Sequence, residues 1–239
     1  MSQRHYLRPT GFVDAPFGLD GKVARLAGGL AWFSAVEIVT LDAGGVAGLE
    51  LVPVGDAERE AALGSGAAMV NDVSALTFDP RAAEVVAKAA CPIVLMHHLG
   101  TPETMQEAPR YDRPVLFEVY DWLAARIRAA EAAGIARERI IVDPGIGFGK
   151  NVQHNLQLLN GLALLHGLGC AIMVGASRKR MIGALSGEAA ADERLPGSIA
   201  LALKAAEQGA QLLRVHDVPE TVQALRVWRG LRDAALAPG

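Results

Sequence analysis

Ile140-Ile-Val-Asp143-Pro-Gly-Ile-Gly-Phe-Gly-Lys150 reads as a buried strand that ends in a carboxylate and runs into a glycine-rich loop. Three β-branched residues in a row have no polar side, and a strand covered on both faces is the signature of a parallel sheet under helices. Four further runs share this design: Met69-Val-Asn71-Asp72, Ile93-Val-Leu-Met96-His97, Ile172-Met-Val-Gly175 and Leu212-Leu-Arg214-Val-His216. Each ends in groups of chemical use. Ligands bind at the carboxyl ends of the strands in open and closed α/β sheets, so the chain reads as an enzyme.

Helical patterns fill the intervals from about Gly64 onward. Asp79-Pro80 supplies an N-cap and first-turn proline; Leu116, Val119, Leu123 and Ile127 line one face of a helix that stops at Gly134. Leu156, Leu159 and Leu162 form a second stripe. Pro196 and Pro219 sit near helix starts, and the last helix carries Val222, Leu225 and Val227. Five βα units thus account for residues 64–236. The start of the chain differs. Ala35 to Leu41 and Leu49 to Val54 flank Asp42-Ala-Gly-Gly and suggest a hairpin, with Pro53 pushing the second strand to an edge. Residues 1–56 are read as a small separate module and 57–239 as the main domain.

The 239 residues suffice for a sizeable core and suit one barrel-like domain. Basic and acidic residues number 23 and 26, a formal charge of −3, with no basic block to track a phosphate backbone, so nucleic acid is not an expected partner. The N-terminus lacks an apolar stretch and no window of eighteen apolar residues occurs, which speaks against export or a membrane. Cys91 and Cys170 lie in apolar surroundings and read as buried free thiols, consistent with a reducing, cytoplasmic compartment.

The loop from Asp143 to Lys150 is neither a P-loop nor a dinucleotide fingerprint; its glycines free the backbone for tight turns and close ligand approach. A local turn-stabilising role is the alternative for Asp143. Gly175-Ala-Ser-Arg-Lys179-Arg180 places three cations and a hydroxyl after the next strand. Arg214 and His216, two apart, share one side of a strand and suit a phosphate or pyrophosphate; an Arg214–Asp217 salt bridge is the alternative. His97 and His98 point to opposite faces, so both cannot easily bind one metal ion, and His98 is read as structural. Of Asn71 and Asp72, one faces the interior while the other braces a loop. His154 and His166 fall on helical patterns and read as surface residues.

Taken in order, Val70-Asn71-Asp72-Val73-Ser74-Ala75, Leu95-Met96-His97 with Gly100-Thr-Pro-Glu-Thr-Met105-Gln106, Asp143 to Lys150 with His154-Asn155, Gly175 to Lys179, and Arg214-Val-His216-Asp217-Val218 resemble the dihydropteroate synthase family over roughly residues 57–230. The resemblance implies an α/β fold derived from a (β/α)8 TIM barrel and an alkyl/aryl transferase of folate biosynthesis. Its substrates are p-aminobenzoate and 6-hydroxymethyl-7,8-dihydropterin pyrophosphate. It implies that Asn71, Asp143 and Lys179 hydrogen-bond the pterin, with Met96, Phe148 and Gly175 lining that pocket. Ser177 and Arg178 border the p-aminobenzoate site. Arg214 and His216 hold the leaving pyrophosphate, and Lys179, Arg214 and His216 are the expected catalytic groups.

The family begins its barrel with three further βα units whose motifs this sequence lacks. Among them is the Asn that would bind magnesium (Mg2+), so magnesium is an expected cofactor with no identifiable ligand here. Five strands of an eight-stranded barrel leave two parallel edges that something must cover. The N-terminal hairpin and a second chain are the candidates, and the family suggests a homodimer. Two alternatives follow: a catalytically impaired pterin-binding or interaction protein left by an internal deletion, and the pterin domain of a methyltetrahydrofolate methyltransferase. The Ser177-Arg178-Lys179 run and Arg214-Val-His216 favour the synthase, because methyl transfer has no pyrophosphate to bind.

Overall fold

The computed structural model describes residues 67–78, 81–100, 105, 108–187 and 190–236, with the backbone of three strands nearer the N-terminus. The five apolar runs are five parallel strands: β4 (Ala67–Asp72), β5 (Ile93–Met96), β6 (Ile140–Asp143), β7 (Ala171–Val174) and β8 (Leu212–Val215). They pair in chain order. Helices α1 (Ala82–Ala89), α2 (Val115–Ala132), α3 (Val152–Asn160), α4 (Arg180–Ser186), α5 (Leu195–Glu207) and α6 (Val218–Leu236) follow the strands, with α4 and α5 both between β7 and β8.

The edges left by five strands are both met by the N-terminal segments β1 (Ala24–Gly28), β2 (Glu37–Thr40) and β3 (Leu49–Pro53). β1 pairs in parallel with β4, β2 pairs antiparallel with β8, and β3 joins the two, which closes the ring in the order β1-β3-β2-β8-β7-β6-β5-β4. β2 and β3 are antiparallel, as a hairpin requires, with Glu37 opposite Glu50. The Asp42-Ala-Gly-Gly turn lies outside the described residues. Pro53 does not put β3 at an edge: the strand lies between β1 and β2, and the proline is its last residue.

Strand geometry sorts side chains into two sets with a period of two. Val70, Ile93, Leu95, Ile140, Val142, Ile172, Val174, Leu213 and Val215 pack in one cluster with the helices' apolar faces. The intervening Met69, Val94, Met96, Ile141, Met173 and Leu212 are equally buried on the opposite, inner face, and continue into Asn71, Asp143, Gly175 and Arg214. A strand with no polar side therefore serves two apolar layers.

The helix stripes hold with three differences. On α2, Val119, Leu123 and Ile127 are buried and Leu116 is half-buried, and Gly134 follows its end at φ +91°. The second stripe breaks: α3 ends at Asn160, and Leu162 is buried in the separate 3-10 helix Leu162–Leu168. On α6 Leu225 is buried, but Val227 is 61% exposed because two residues along a helix turn about 200° away from a shared face. Cys91 and Cys170 are free but half-buried rather than buried, and burial raises both thiols, Cys170 to about 11. Asp79 and Pro80 lie outside the described residues. No helix among the described residues is long and apolar enough to cross a membrane.

Candidate functional site

Three polar side chains occupy the inner face at the strand ends, where an all-apolar lining would be expected of a merely structural core. Asn71, Asp143 and Arg214 are at most 3% exposed. Arg214 donates from Nη1 to Asn71 Oδ1 at 3.4 Å, and its Nη2 lies 3.8 Å from Asp143 Oδ2. Asp143 Oδ1 accepts from the Gly145 N–H at 2.7 Å, whereas Oδ2 is buried without a hydrogen-bond partner. A buried carboxylate oxygen left open is costly, and a ligand donor is the natural remedy. Asp143 thus makes the local turn contact with one oxygen and offers the other to the site.

Lys179, at the end of the β7 loop, joins the cluster. Its ammonium stands 4.0 Å from the centroid of Phe148. Burial first, then the Arg214 guanidinium, push Lys179 down from the usual 10.5 to about 7, while Asp143 opposes the shift. Burial likewise lowers Arg214, with Asp143 opposing. Met96 is fully buried on the inner face and registers with Asp143 across the β5–β6 ladder. Phe148 is half-buried.

Gly175 is where the guanidinium needs an absent side chain: a Cβ there would stand 2.7 Å from Arg214 Nη2 and 2.9 Å from Nε. Gly175→Ala is expected to displace the Arg214 head group and weaken anion binding by about ten-fold, at a stability cost of about 1–3 kcal/mol. Pyrophosphate titration checks this. An unchanged affinity would show that Arg214 does not need that surface.

The remaining expected residues sit at the rim. Ser177 is buried, and its hydroxyl oxygen accepts from the His216 N–H at 3.2 Å and lies 3.0 Å from His216 Nδ1. His216 is exposed, so it and Arg214 share a side but not a depth. Burial, then the Arg178 charge, lower His216 and favour the neutral ring. Arg178 does not present a free guanidinium. Its Nε donates to Asp217 Oδ2 at 3.0 Å and its Nη2 to Oδ1, while Arg214 faces Asp143. Arg178 holds a left-handed φ of +57°, and side chains pin that turn: its N–H donates to Ser198 Oγ at 2.9 Å and its carbonyl accepts from Arg194 at 3.0 Å.

Asp72, the alternate of Asn71, braces a loop. Its carboxylate accepts from the Ser74 N–H, the Ser74 hydroxyl and the Leu76 N–H. His98 Nδ1 lies 3.1 Å from the Gly100 carbonyl oxygen. His154 accepts the Asn151 N–H in a capping box at the start of α3, and His166 is exposed. Lys150 and Asn155 carried no role in the sequence reading, yet both are buried beneath the glycine loop. Asn155 Oδ1 accepts from the Gly147 N–H at 2.8 Å.

The donor set does not fit magnesium. A hard divalent cation asks for several oxygen ligands, but this cluster offers one carboxylate, already facing a guanidinium, among cations. Among the described residues no group of three or more His, Cys, Asp and Glu side chains gathers as a metal site. The site sets a buried amide and a carboxylate oxygen without a hydrogen-bond partner beside two cations.

A family model described as Pterin binding enzyme matches residues 57–216. The dihydropteroate synthase of Escherichia coli (strain K12) is 49% identical over 162 residues, which cover 68% of this chain and 56% of that protein. The Neisseria meningitidis serogroup B synthase is 48% identical over 178 residues, covering 73% and 61%. Among solved structures, the Xanthomonas albilineans dihydropteroate synthase in complex with 7,8-dihydropteroate is 46% identical with a TM-score of 0.70, covering 76% of this chain and 66% of that one. The Yersinia pestis synthase with a sulfonamide drug complex is 40% identical with a TM-score of 0.73, covering 77% and 67%. The chain spans 56% and 61% of the length of those two curated relatives. A match over more than half of the chain, spanning the strand ends that meet on the inner face, establishes that it belongs to the pterin-binding enzyme family.

Proposed function

We propose that this chain binds 6-hydroxymethyl-7,8-dihydropterin pyrophosphate and condenses it with p-aminobenzoate, as a transferase of folate biosynthesis. The observation that carries the reading is the meeting of Asn71, Asp143, Lys179 and Arg214, residues more than 140 positions apart at the extremes, around a buried carboxylate oxygen that accepts no hydrogen bond. Asp143 Oδ2 and the Asn71 amide would read the amino group and ring nitrogens of the pterin, as acceptors and donors read a base edge. The C–O bond to pyrophosphate breaks, the arylamine nitrogen forms the new bond to the methylene carbon, and the amine releases a proton. Cations near the departing anion and a positioned amine are the help this chain can supply. Arg214 and Lys179 serve the deep part of the site, and His216 with Ser177 serves the rim, where p-aminobenzoate would enter.

Magnesium belongs to the proposal on the family resemblance alone, because the described residues do not form a cage for it. A homodimer and a cytoplasmic location belong to the same proposal, on the family resemblance and the two free thiols.

Calorimetry with the pterin pyrophosphate tests binding, and dihydropteroate formation with magnesium present tests turnover. Binding is expected, weakened at least about ten-fold in Lys179→Ala. No heat at concentrations well above micromolar refutes the proposal, and equal affinities refute the placement of Lys179. Binding without turnover selects the non-catalytic pterin-binding protein, a reading favoured by the missing βα units.

The lysine shifts add a signed expectation. At pH 8 a Lys179 that titrates near 7 is mostly neutral, and an anion beside it restores the proton. Pyrophosphate binding should therefore take up protons between pH 7 and the usual lysine range. Heats measured at pH 8 in buffers of different ionisation enthalpy will differ; identical heats would contradict this.

A further inference from the structure

We infer that Lys150 and His97 form a positioning pair that sets the height of the loop 144–149, and with it the Phe148 ring against which Lys179 rests. The link from loop to ligand rests on the pterin reading above; the loop geometry does not. Lys150 is 2% exposed. Its ammonium lies 2.9 Å from His97 Nδ1 and donates to the Phe148 carbonyl at 3.0 Å. One contact ties the residue after β5 to the far end of the loop that follows β6, and the other fastens that loop at Phe148.

His97 is itself fixed. Its N–H donates to the Asp143 carbonyl at 2.9 Å, and its ring meets Trp122 of α2 edge-on at 4.9 Å and Tyr111 at 6.2 Å. The Tyr111 hydroxyl donates to the Gly149 carbonyl at 2.9 Å. Across the loop, Asn155 accepts the Gly147 N–H and donates to the Asn151 carbonyl. Side chains below the loop therefore take the carbonyls of 148 and 149 and the N–H of 147 in turn. Backbone contact is equally close: a Cβ on Gly149 would stand 2.6 Å from the Leu99 carbonyl oxygen.

The chemistry of the pair is selective. Burial, then the Lys150 charge, hold His97 neutral down to about 2, and burial pushes Lys150 down to about 7, so Nδ1 keeps its lone pair for a lysine Nζ–H in either charge state. His97 touches the inner-face cluster through its N–H on the Asp143 carbonyl, and Lys150 feels the Asp143 and Lys179 charges; the hold of the pair on the loop runs through the Phe148 backbone and the β5–β6 junction. Removing the pair should loosen the wall on which a flat ring lies while leaving Arg214, on β8, where it is. Loss should therefore fall on the pterin ring and spare the anion.

Amide exchange in the ligand-free full chain, with binding of 6-hydroxymethylpterin and of inorganic pyrophosphate measured separately, tests this. Lys150→Met and His97→Leu should each speed exchange at 144–151 by about ten-fold while leaving 140–143 within about two-fold. Each should weaken the pterin at least about ten-fold and pyrophosphate by less than about three-fold. His97→Asn, which keeps an acceptor near Nδ1, should restore both readouts. Unchanged loop exchange in Lys150→Met overturns the inference whether or not a ligand binds. Uniformly faster exchange with no rescue by His97→Asn also overturns it, because that marks general packing. If the unsubstituted chain binds no pterin, the proposed function fails, and the exchange measurements alone decide the positioning role.

Discussion

Replacing Arg214 by alanine is expected to cost the folded chain about 3–5 kcal/mol, the penalty for stranding a buried charge. The guanidinium is 3% exposed, stands 3.8 Å from Asp143 Oδ2 and donates to Asn71 Oδ1. Its removal leaves a carboxylate of 1% exposure beside empty space, with the Gly145 N–H on its other oxygen. Arg214→Lys should not rescue fully, because an ammonium has no planar fork to span an amide and a carboxylate. Removing the charge on both sides, in Arg214→Met with Asp143→Asn, should recover part of the loss but not all, since the carboxylate is no longer stranded while Lys150 and Lys179 lose its charge. Urea unfolding of the two singles and the double measures the coupling. An alanine variant within about 1 kcal/mol of the parent would show the pair to be dispensable for folding. Ligand affinity should fall as well, by about 2 kcal/mol or more for the pyrophosphate.

The second large effect lies in the backbone. Gly145 sits at φ +69°, and a Cβ on it would stand 1.8 Å from the His97 carbonyl oxygen. Gly145→Ala must adopt a left-handed conformation, at roughly 1–2 kcal/mol, and also push apart two strand ends. A total cost of at least about 3 kcal/mol is expected. Gly187 provides the control: its φ is +80°, but nothing lies within 4 Å of an added Cβ. Gly187→Ala should show the conformational cost alone, and the difference between the two midpoints in urea isolates the collision. Equal destabilisation would mean that the loop yields freely over β5. Because the Gly145 N–H holds Asp143 Oδ1, the displaced loop should also weaken pterin binding.

The inner face was readable because β-strand periodicity is local. Once Ile140-Ile-Val-Asp143 is a strand, Ile141 and Asp143 share a side, and the same parity gives Asn71 and Arg214 theirs. It also separates Asn71 from Asp72 and Arg214 from Val215. Lys150 was not readable in that way. A long cation after a glycine loop has no strand or helix period to place it, and the loop turns it beneath itself through positive φ at Gly145, Gly147 and Gly149. The Arg178–Asp217 ion pair joins residues 39 apart in the chain, a contact no periodicity encodes. Val227 differs for the opposite reason: apolarity signals packing only on a face turned inward, and helix geometry points this side chain to water.

Five strands with their helices, the order of the motifs and the parity of each strand-end residue follow from the order of apolar and polar residues, because backbone geometry repeats every two or every 3.6 positions. What only the tertiary structure decides is depth and partnership. It puts Arg214 below His216, commits Arg178 to Asp217, leaves Asp143 Oδ2 open and brings β1 and β2 to the two bare edges. Those outcomes depend on how strand ends converge in space, and convergence is a property of the closed sheet rather than of any one segment.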